Sequence, residues 1–172
     1  MYKLILFCLF TFFLLASCGG PTGPSIDNNL LDGVPSGEIV PVEEREVTLT
    51  GLVMSKSTQS STAESQKWWN HVVTKIDVQN CEGYEDMEES YDDYYFAFKP
   101  EGKLYFKVGT DGSEFEATTW EWSDGNKSGI ILGDYPDVEF EFTILNENEV
   151  VYASVQQEGS CRAVTWEHFK NQ

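Results

Sequence analysis

The sequence predicts an all-β fold, an antiparallel up-and-down barrel of about eight strands. Apolar and polar residues alternate with a period of two over most of residues 46–172, and segments rich in Gly, Pro, Asn and Asp separate the alternating runs. Aromatic residues make up 14% of the chain, a content typical of β-structure or of a ligand-lined cavity. A β-sandwich is the alternative, but a closed barrel leaves no strand edge at which chains aggregate.

Three hairpins and a last strand are the clearest predicted elements. The turn Lys99-Pro100-Glu101-Gly102 has the residues that a hairpin needs, because Pro sets φ and Gly adopts the left-handed conformation. A last strand over residues 162–169 places Val164, Trp166 and His168 on one face. The hairpin strands are predicted over residues 94–99 and 104–108, 115–122 and 129–132, and 138–144 and 150–155.

Two segments precede these hairpins. Alternating residues over 46–55, among them Val47 and Leu49, predict a first strand. Residues 61–79 fit two patterns, of which one is a short helix over 62–74 that begins with a capping box. The other, which the alternation over 74–78 favours, is a loop carrying Trp68 and Trp69 followed by a strand over 72–79.

Residues 1–17 have the layout of a secretory signal peptide, in which Lys3 precedes an apolar run over 4–16. As a helix this run is about 20 Å long, shorter than the roughly 30 Å of a bilayer core. The segment Leu15-Ala16-Ser17-Cys18 resembles the lipobox of bacterial lipoproteins, which implies that Cys18 is lipidated and that the chain is cleaved before it. An ordinary cleaved signal with an incidental cysteine is the alternative.

Residues 18–45 are predicted to form a lipidated, flexible tether, because they are rich in Gly, Pro, Ser, Asn and acids and show no periodicity. The predicted organisation is therefore a signal peptide over 1–17, the tether over 18–45 and a barrel domain over 46–172. Several acyl chains on Cys18 would fasten the chain to a membrane. Gly19 stands where enteric lipoproteins kept at the inner membrane have aspartate, which implies the outer membrane, with the periplasmic or surface face left open.

Two cysteines, Cys81 and Cys161, lie in the predicted domain. An even pair in an oxidising compartment predicts one disulfide between them. Two free thiols or a metal site are the alternatives, and His71 and His168 lack ligand spacing with the cysteines.

The lipobox and several short segments between residues 46 and 169 resemble those of the lipocalin-like lipoproteins of Bacteroidetes. The resemblance implies a lipocalin-type barrel. The family's first strand often contains Gly-x-Trp, and this chain has Val53 at the position of that tryptophan. The segments that carry it are the lipobox, Thr50-Gly51-Leu52, Cys81 ahead of an acidic stretch, Tyr95-Phe96-Ala97-Phe98-Lys99-Pro100-Glu101-Gly102-Lys103, Trp120-Glu121-Trp122-Ser123-Asp124 and Leu145-Asn146-Glu147-Asn148-Glu149.

The net charge of the chain and the catalytic motifs that it lacks exclude several classes of function. A net charge of −18 repels phosphates, which excludes nucleic acid as a partner. The sequence contains no Gly-x-Ser-x-Gly, no His-Glu-x-x-His and no phosphate-binding glycine loop, so we expect a non-catalytic protein without cofactor or metal. The acidic run over 82–93 is more typical of a solvated loop than of a Ca²⁺ site.

Binding at the cell envelope is the function that these observations favour. Trp120 and Trp122 share a strand face and, with Trp166, are candidates to line a cavity for a small apolar ligand. A filled core is the alternative to that cavity. A second hypothesis is an acidic interaction protein that binds a basic protein, as lysozyme-inhibitor lipoproteins do; Ser128-Gly129 resembles their Ser-Gly motif, without the tyrosine that follows it.

Overall fold

The computed structural model describes residues 31–51 and 66–171 of the chain. The predicted signal peptide, Cys18, the start of the tether and residues 52–55 of the predicted first strand lie outside the described residues.

One helix and nine strands make up the described part of the chain. They are α1 (Val42–Thr50), β1 (Trp69–Gln79), β2 (Met87–Glu89), β3 (Tyr94–Lys99), β4 (Lys103–Val108), β5 (Phe115–Trp122), β6 (Gly129–Leu132), β7 (Tyr135–Leu145), β8 (Glu149–Glu158) and β9 (Cys161–Asn171).

Eight of the strands close into an antiparallel barrel. From β3 to β9 each strand pairs with the next, and β1 closes the circle by pairing with both β3 and β9. The short strand β2 pairs with β1 beside the start of β3 and adds a ninth strand to the wall. The predicted barrel of about eight strands is therefore confirmed.

Period-two alternation identifies the hairpins correctly, since all three predicted hairpins and the last strand are present. In residues 61–79, for which the sequence allowed either a short helix or a loop followed by a strand, the described residues form a strand and no helix. The strand begins at Trp69 instead of residue 72, because Trp69 is itself buried in the barrel core.

The predicted first strand is wrong over residues 46–50, which belong to α1. The helix carries Leu49 into the end of the barrel, where its side chain is 0% exposed and its carbonyl accepts a 2.8 Å hydrogen bond from Trp69 Nε1. Gly51, in the left-handed conformation at φ 73°, ends the helix and donates its N–H to Val47. Tertiary burial thus outweighs the β propensity of the segment.

Residues 31–45 also differ from the predicted free tether. Ile39 forms a parallel bridge with Leu145, and Val34 and Val40 are buried. Val34 packs on the outer face of the barrel against Ile144 because that face is apolar there and needs a cover. The packed domain therefore begins well before residue 46.

The two ends of the barrel differ. At the closed end, α1 and its flanking residues hold the hairpin turns: Arg45 donates to the carbonyl of Asn126 at 2.9 Å, and Lys67 donates to those of Thr48 at 3.0 Å and Glu147 at 3.2 Å. The opposite end carries the β4–β5, β6–β7 and β8–β9 turns, and we call it the open end.

The predicted disulfide is confirmed. Cys81 and Cys161 are bonded across a sequence separation of 80 residues, and they join the end of β1 to the start of β9. The covalent bond therefore clamps the pair of strands that closes the barrel.

We expect the Cys81→Ala/Cys161→Ala double variant to lose about 4 kcal/mol of unfolding free energy, because the disulfide restricts a long loop of the unfolded chain. Urea unfolding of the oxidised wild-type protein and of the variant measures this difference. A loss below about 1 kcal/mol would show that the bond is not a main source of stability.

Candidate ligand-binding site

The closed half of the barrel interior is filled by large apolar side chains. Most of the inward-facing residues there are buried and form one core with Leu49 of α1, and Trp122 packs against this core while partly exposed. Its members with 0% exposure include Trp69, Phe98, Ile130, Leu145 and Val150.

Toward the open end, several inward-facing side chains are only half-buried, although Leu132, Ser154 and Ala163 are buried. Phe96, Ala117 and Val138 pack against the core without being covered by it, and Ile76 and Thr165 form a partly exposed pair between β1 and β9. Solvent therefore reaches the barrel interior from this end. We call the interior between these residues and the open end the open half.

Small side chains line one wall of the open half. On the inward face of β8 and β9, Ser154 pairs with Thr165, and Ala163 pairs with Gln156. The same faces carry bulky Tyr152 and Phe169 nearer the closed end. Ser154 and Ala163 are buried, whereas Thr165 and Gln156 are partly exposed, so the exposed part of this wall is formed by the latter two.

Aromatic rings line the opposite wall. The Phe106 ring lies 6.4 Å from that of Tyr94, 6.3 Å from that of Phe96 and 5.6 Å from that of Phe115. At the rim, Phe115 is 55% exposed and Val108 is 46% exposed. Large apolar side chains are thus exposed where a ligand would enter.

A polar pair, Glu167 and Tyr152, lies at the bottom of the open half. Glu167 faces inward from β9 and is only 8% exposed, and the Tyr152 hydroxyl donates a 2.8 Å hydrogen bond to its Oε2. Burial raises the pKa of Glu167 to about 7, and the hydrogen bond from Tyr152 opposes this rise. Burial also raises the pKa of Tyr152 well above its usual value, so its hydroxyl keeps its proton.

His71 lies one residue pair nearer the closed end, beside Phe169. Its Nδ1 accepts the Tyr91 N–H at 3.3 Å, so the proton on Nε2 is free to be donated to the Thr74 hydroxyl at 2.8 Å. Burial lowers the pKa of His71 to about 4, against the opposing effect of Asp92. The ring is therefore neutral at pH 7.

Acidic side chains surround the open end. They are exposed and lie in the loops and turns at or beside this end or, for Glu158, at the last residue of β8, and we call them the acidic rim. Its members are Glu82, Glu85, Asp86, Asp92, Asp93, Asp111, Asp134 and Glu158. Several of the chain's cations lie at the opposite end, where Arg45, Lys67 and Lys127 contact α1 or the turns around it.

The three tryptophans predicted to line one cavity do not lie together. Trp120 and Trp122 face the interior in the closed half, with ring centroids 5.2 Å apart and Trp120 Nε1 donating to the Lys99 carbonyl at 3.0 Å. Trp166 lies on the outer face of β9 with Val164, separated from them by the barrel wall. A strand with apolar residues on both faces gives no signal for which face is inside.

Sequence analysis missed Glu167, which now defines the polar pair. The predicted face of Val164, Trp166 and His168 left Glu167 on the other face of the strand with Phe169. The signal in the sequence was that Glu167 shares a strand face with the aromatic Phe169. Because Trp166 was interpreted as facing inward, this face was assigned to the outside.

Two grooves lie outside the barrel interior. One, of about 530 Å³, runs over the β5–β6 wall and is lined by Thr119, Glu121 and Ile131 among others. The other, of about 480 Å³, lies between the end of α1, Lys67 and Glu147. Burial lowers the pKa of Lys67 to about 8 in this second groove, where its ammonium group caps the Thr48 carbonyl.

Comparison with protein-family models, with curated proteins and with solved structures finds no match. Within residues 31–51 and 66–171, no helix has the length and apolarity that crossing a membrane requires. The same residues contain no group of three or more side chains arranged to hold a metal ion.

We expect Glu167→Gln to become more stable relative to the wild-type protein as pH rises from 4.5 to 8. A folded pKa of about 7 against 4.5 in the unfolded chain means that Glu167 stabilises the fold below pH 4.5 and loses this contribution as pH rises through 7. The loss is about 3 kcal/mol, and glutamine does not titrate.

Urea unfolding at pH 4.5 and pH 8 measures this effect, with Glu121→Gln on the exposed outer face of β5 as the matched control. An equal difference between Glu167→Gln and wild type at both pH values would contradict the assignment.

Proposed function

We propose that this protein is a lipid-anchored, non-catalytic binding protein of the bacterial envelope that holds a small apolar molecule in the open half of its barrel. The observation that carries the proposal is the contrast between the two ends. Most apolar side chains that face inward are buried at the α1 end, whereas several, among them Phe96, Phe106 and Val138, are only half-buried toward the other end.

Burial of apolar surface supplies the binding energy in this proposal. Phe96, Phe106 and Phe115 present partly exposed rings, and each Å² of apolar surface that a ligand covers contributes about 25 cal/mol. A largely apolar lining with a few polar groups at its base is the usual composition of a small-molecule site.

The polar groups of the interior support binding rather than catalysis. Both ring nitrogens of His71 are engaged within the protein, by Tyr91 and Thr74. Cys81 and Cys161 are joined in the disulfide, so neither offers a nucleophilic thiol.

We expect 1-octanol, a neutral probe, to bind the mature chain (residues 18–172 with Cys18→Ala), and Ala117→Trp to abolish this binding. Ala117 faces the open half, and an indole there occupies the space that the ligand needs. Titration calorimetry measures both proteins, and Glu121→Trp on the outer face of the same strand is the matched control.

Octanol binding that Ala117→Trp leaves unchanged would place the ligand outside the open half. Absence of octanol binding to the unsubstituted barrel would contradict the small-molecule function itself.

In this proposal a lipid on Cys18 anchors the protein in the outer membrane, and the lipobox-like segment supports this anchor. We expect the wild-type protein to fractionate with the outer membrane and Cys18→Ala to move to the soluble fraction, because several acyl chains bind a bilayer firmly whereas the tether does not. Mass spectrometry of the membrane form should find the acyl chains on Cys18. Retention of Cys18→Ala in the membrane would contradict the anchor.

A second candidate function is favoured by the acidic rim. Its exposed carboxylates present one sign of charge at one end of the domain, as expected for a protein that docks on a basic partner. Binding to lysozyme that weakens steeply with salt would support this candidate, and no binding at low salt would remove it.

A further inference from the structure

We propose that the ligand of the open half is a small apolar amine, and that the carboxylate of Glu167 is the counter-ion of its ammonium group. This inference rests on the proposed function and specifies the chemical class of the molecule bound. Four features of the interior carry it: a buried acid without a cation, a path to it, aromatic walls and the acidic rim.

The first feature is the isolation of Glu167. None of the ion pairs among the described residues includes it, and the described partner of its carboxylate is the single hydroxyl of Tyr152. An ionised carboxylate is costly to bury unless it is paired with a positive charge. A cation that enters from outside satisfies this requirement, whereas a purely apolar ligand leaves it unmet.

The second feature is the path from the open end. Thr165 precedes Glu167 on the inward face of β9 and is partly exposed, as is Ile76 opposite it on β1, whereas Ala163 and Ser154 are buried in the wall beside them. At about 3.3 Å per residue, Glu167 lies about 13 Å along the strand from Ala163, near the start of β9. An alkyl chain of about eight carbons has a similar length, so its charged group can lie beside Glu167 while its other end points toward the open end.

The third feature is the aromatic wall. Ring faces attract cations, and this attraction strengthens where water is excluded. The five cation–π contacts among the described residues use Trp68, Trp69, Tyr95, Tyr105 and Trp122 as ring partners. The rings of the open half are not among them and stay available to a ligand.

The fourth feature is the acidic rim, which gives the open end a net charge of the same sign as Glu167, because its eight carboxylates outnumber the cations Lys107 and Arg162 at that end. A single-sign field around a cleft raises the local concentration of the opposite ion and repels carboxylates and phosphates. The rim therefore selects against fatty acids, the other common class of apolar ligand with a charged group.

The titration behaviour of the site agrees with this geometry. The groups that face Glu167 are the hydroxyls of Tyr152 on β8 and Tyr135 on β7, with Thr74 and neutral His71 on β1. Burial raises the pKa of both tyrosines, so neither is charged near pH 7. An ammonium group beside Glu167 lowers the pKa of this carboxyl, and amine binding at pH 7 therefore releases protons.

The test compares octylamine, 1-octanol and octanoate by titration calorimetry at pH 8 on the mature chain with Cys18→Ala. We expect octylamine to bind at least about tenfold more tightly than octanol, as a charged hydrogen bond in a buried site provides, and octanoate to bind most weakly. In Glu167→Gln, which still accepts the Tyr152 hydrogen bond, we expect octylamine to fall to the affinity of octanol while octanol is unchanged.

Two controls separate the buried carboxylate from charge on the outer surface. Glu121→Gln removes one negative charge from the outer wall and should keep the preference for octylamine. Titration at pH 7 in buffers of different ionisation enthalpy should show proton release on octylamine binding in the wild-type protein and none in Glu167→Gln.

The outcomes distinguish the inference from the proposed function. Equal affinity for octanol and octylamine would overturn the amine inference and leave the small-molecule function intact. A preference for octylamine that Glu167→Gln retains would overturn the role of Glu167. Binding of neither probe would overturn both proposals. If Glu167→Gln fails to fold, Tyr152→Phe replaces it in the test. The inference is then overturned if Tyr152→Phe keeps the full preference for octylamine over octanol and the wild-type protein releases no protons on octylamine binding.

Discussion

The pairing of β1 with β9 is the constraint on which the rest of the structure depends. It runs from Trp69 opposite Asn171 to Gln79 opposite Arg162, and the disulfide closes its far end. Closure decides which face of each strand points inward. A bulge between His71 and Val73 shifts the register within β1, so that both His71 and Thr74 are buried. Without this closure Glu167 would lie on an open sheet as an ordinary solvated acid.

Closure also buries titratable groups in the interior, and two of these groups, Glu167 and His71, respond to pH in opposite directions. Glu167 has a raised pKa and favours the fold at low pH, whereas His71 has a lowered pKa and loses its contribution as pH falls from 6.5 toward 4. The two effects offset each other over the mildly acidic range. The barrel therefore holds a carboxyl near its binding space with less change in stability across this range than Glu167 alone would cause.

Much of this fold could be predicted from the sequence, because local alternation and turn residues specify hairpins such as 94–108 without long-range information. The helix could not, since the residues around Val47 and Leu49 suit a strand and become helical only because the barrel end needs a cover. The site was predicted least well. Trp166 and Glu167 are neighbours on opposite faces of β9. An incorrect choice of the inward face therefore places Trp166 in the interior and Glu167 outside, whereas the structure has the reverse.

The central claim is that one end of the barrel is a binding space and the other is a sealed core. Backbone amide chemical shifts of the isotope-labelled mature chain, followed during titration with 1-octanol, test this claim most directly. The account predicts saturable shifts at Phe96, Ala117 and Thr165, with amides around Trp69 and Leu145 unmoved. Shifts confined to the outer groove around Thr119 and Ile131, or shifts that never saturate, would contradict it.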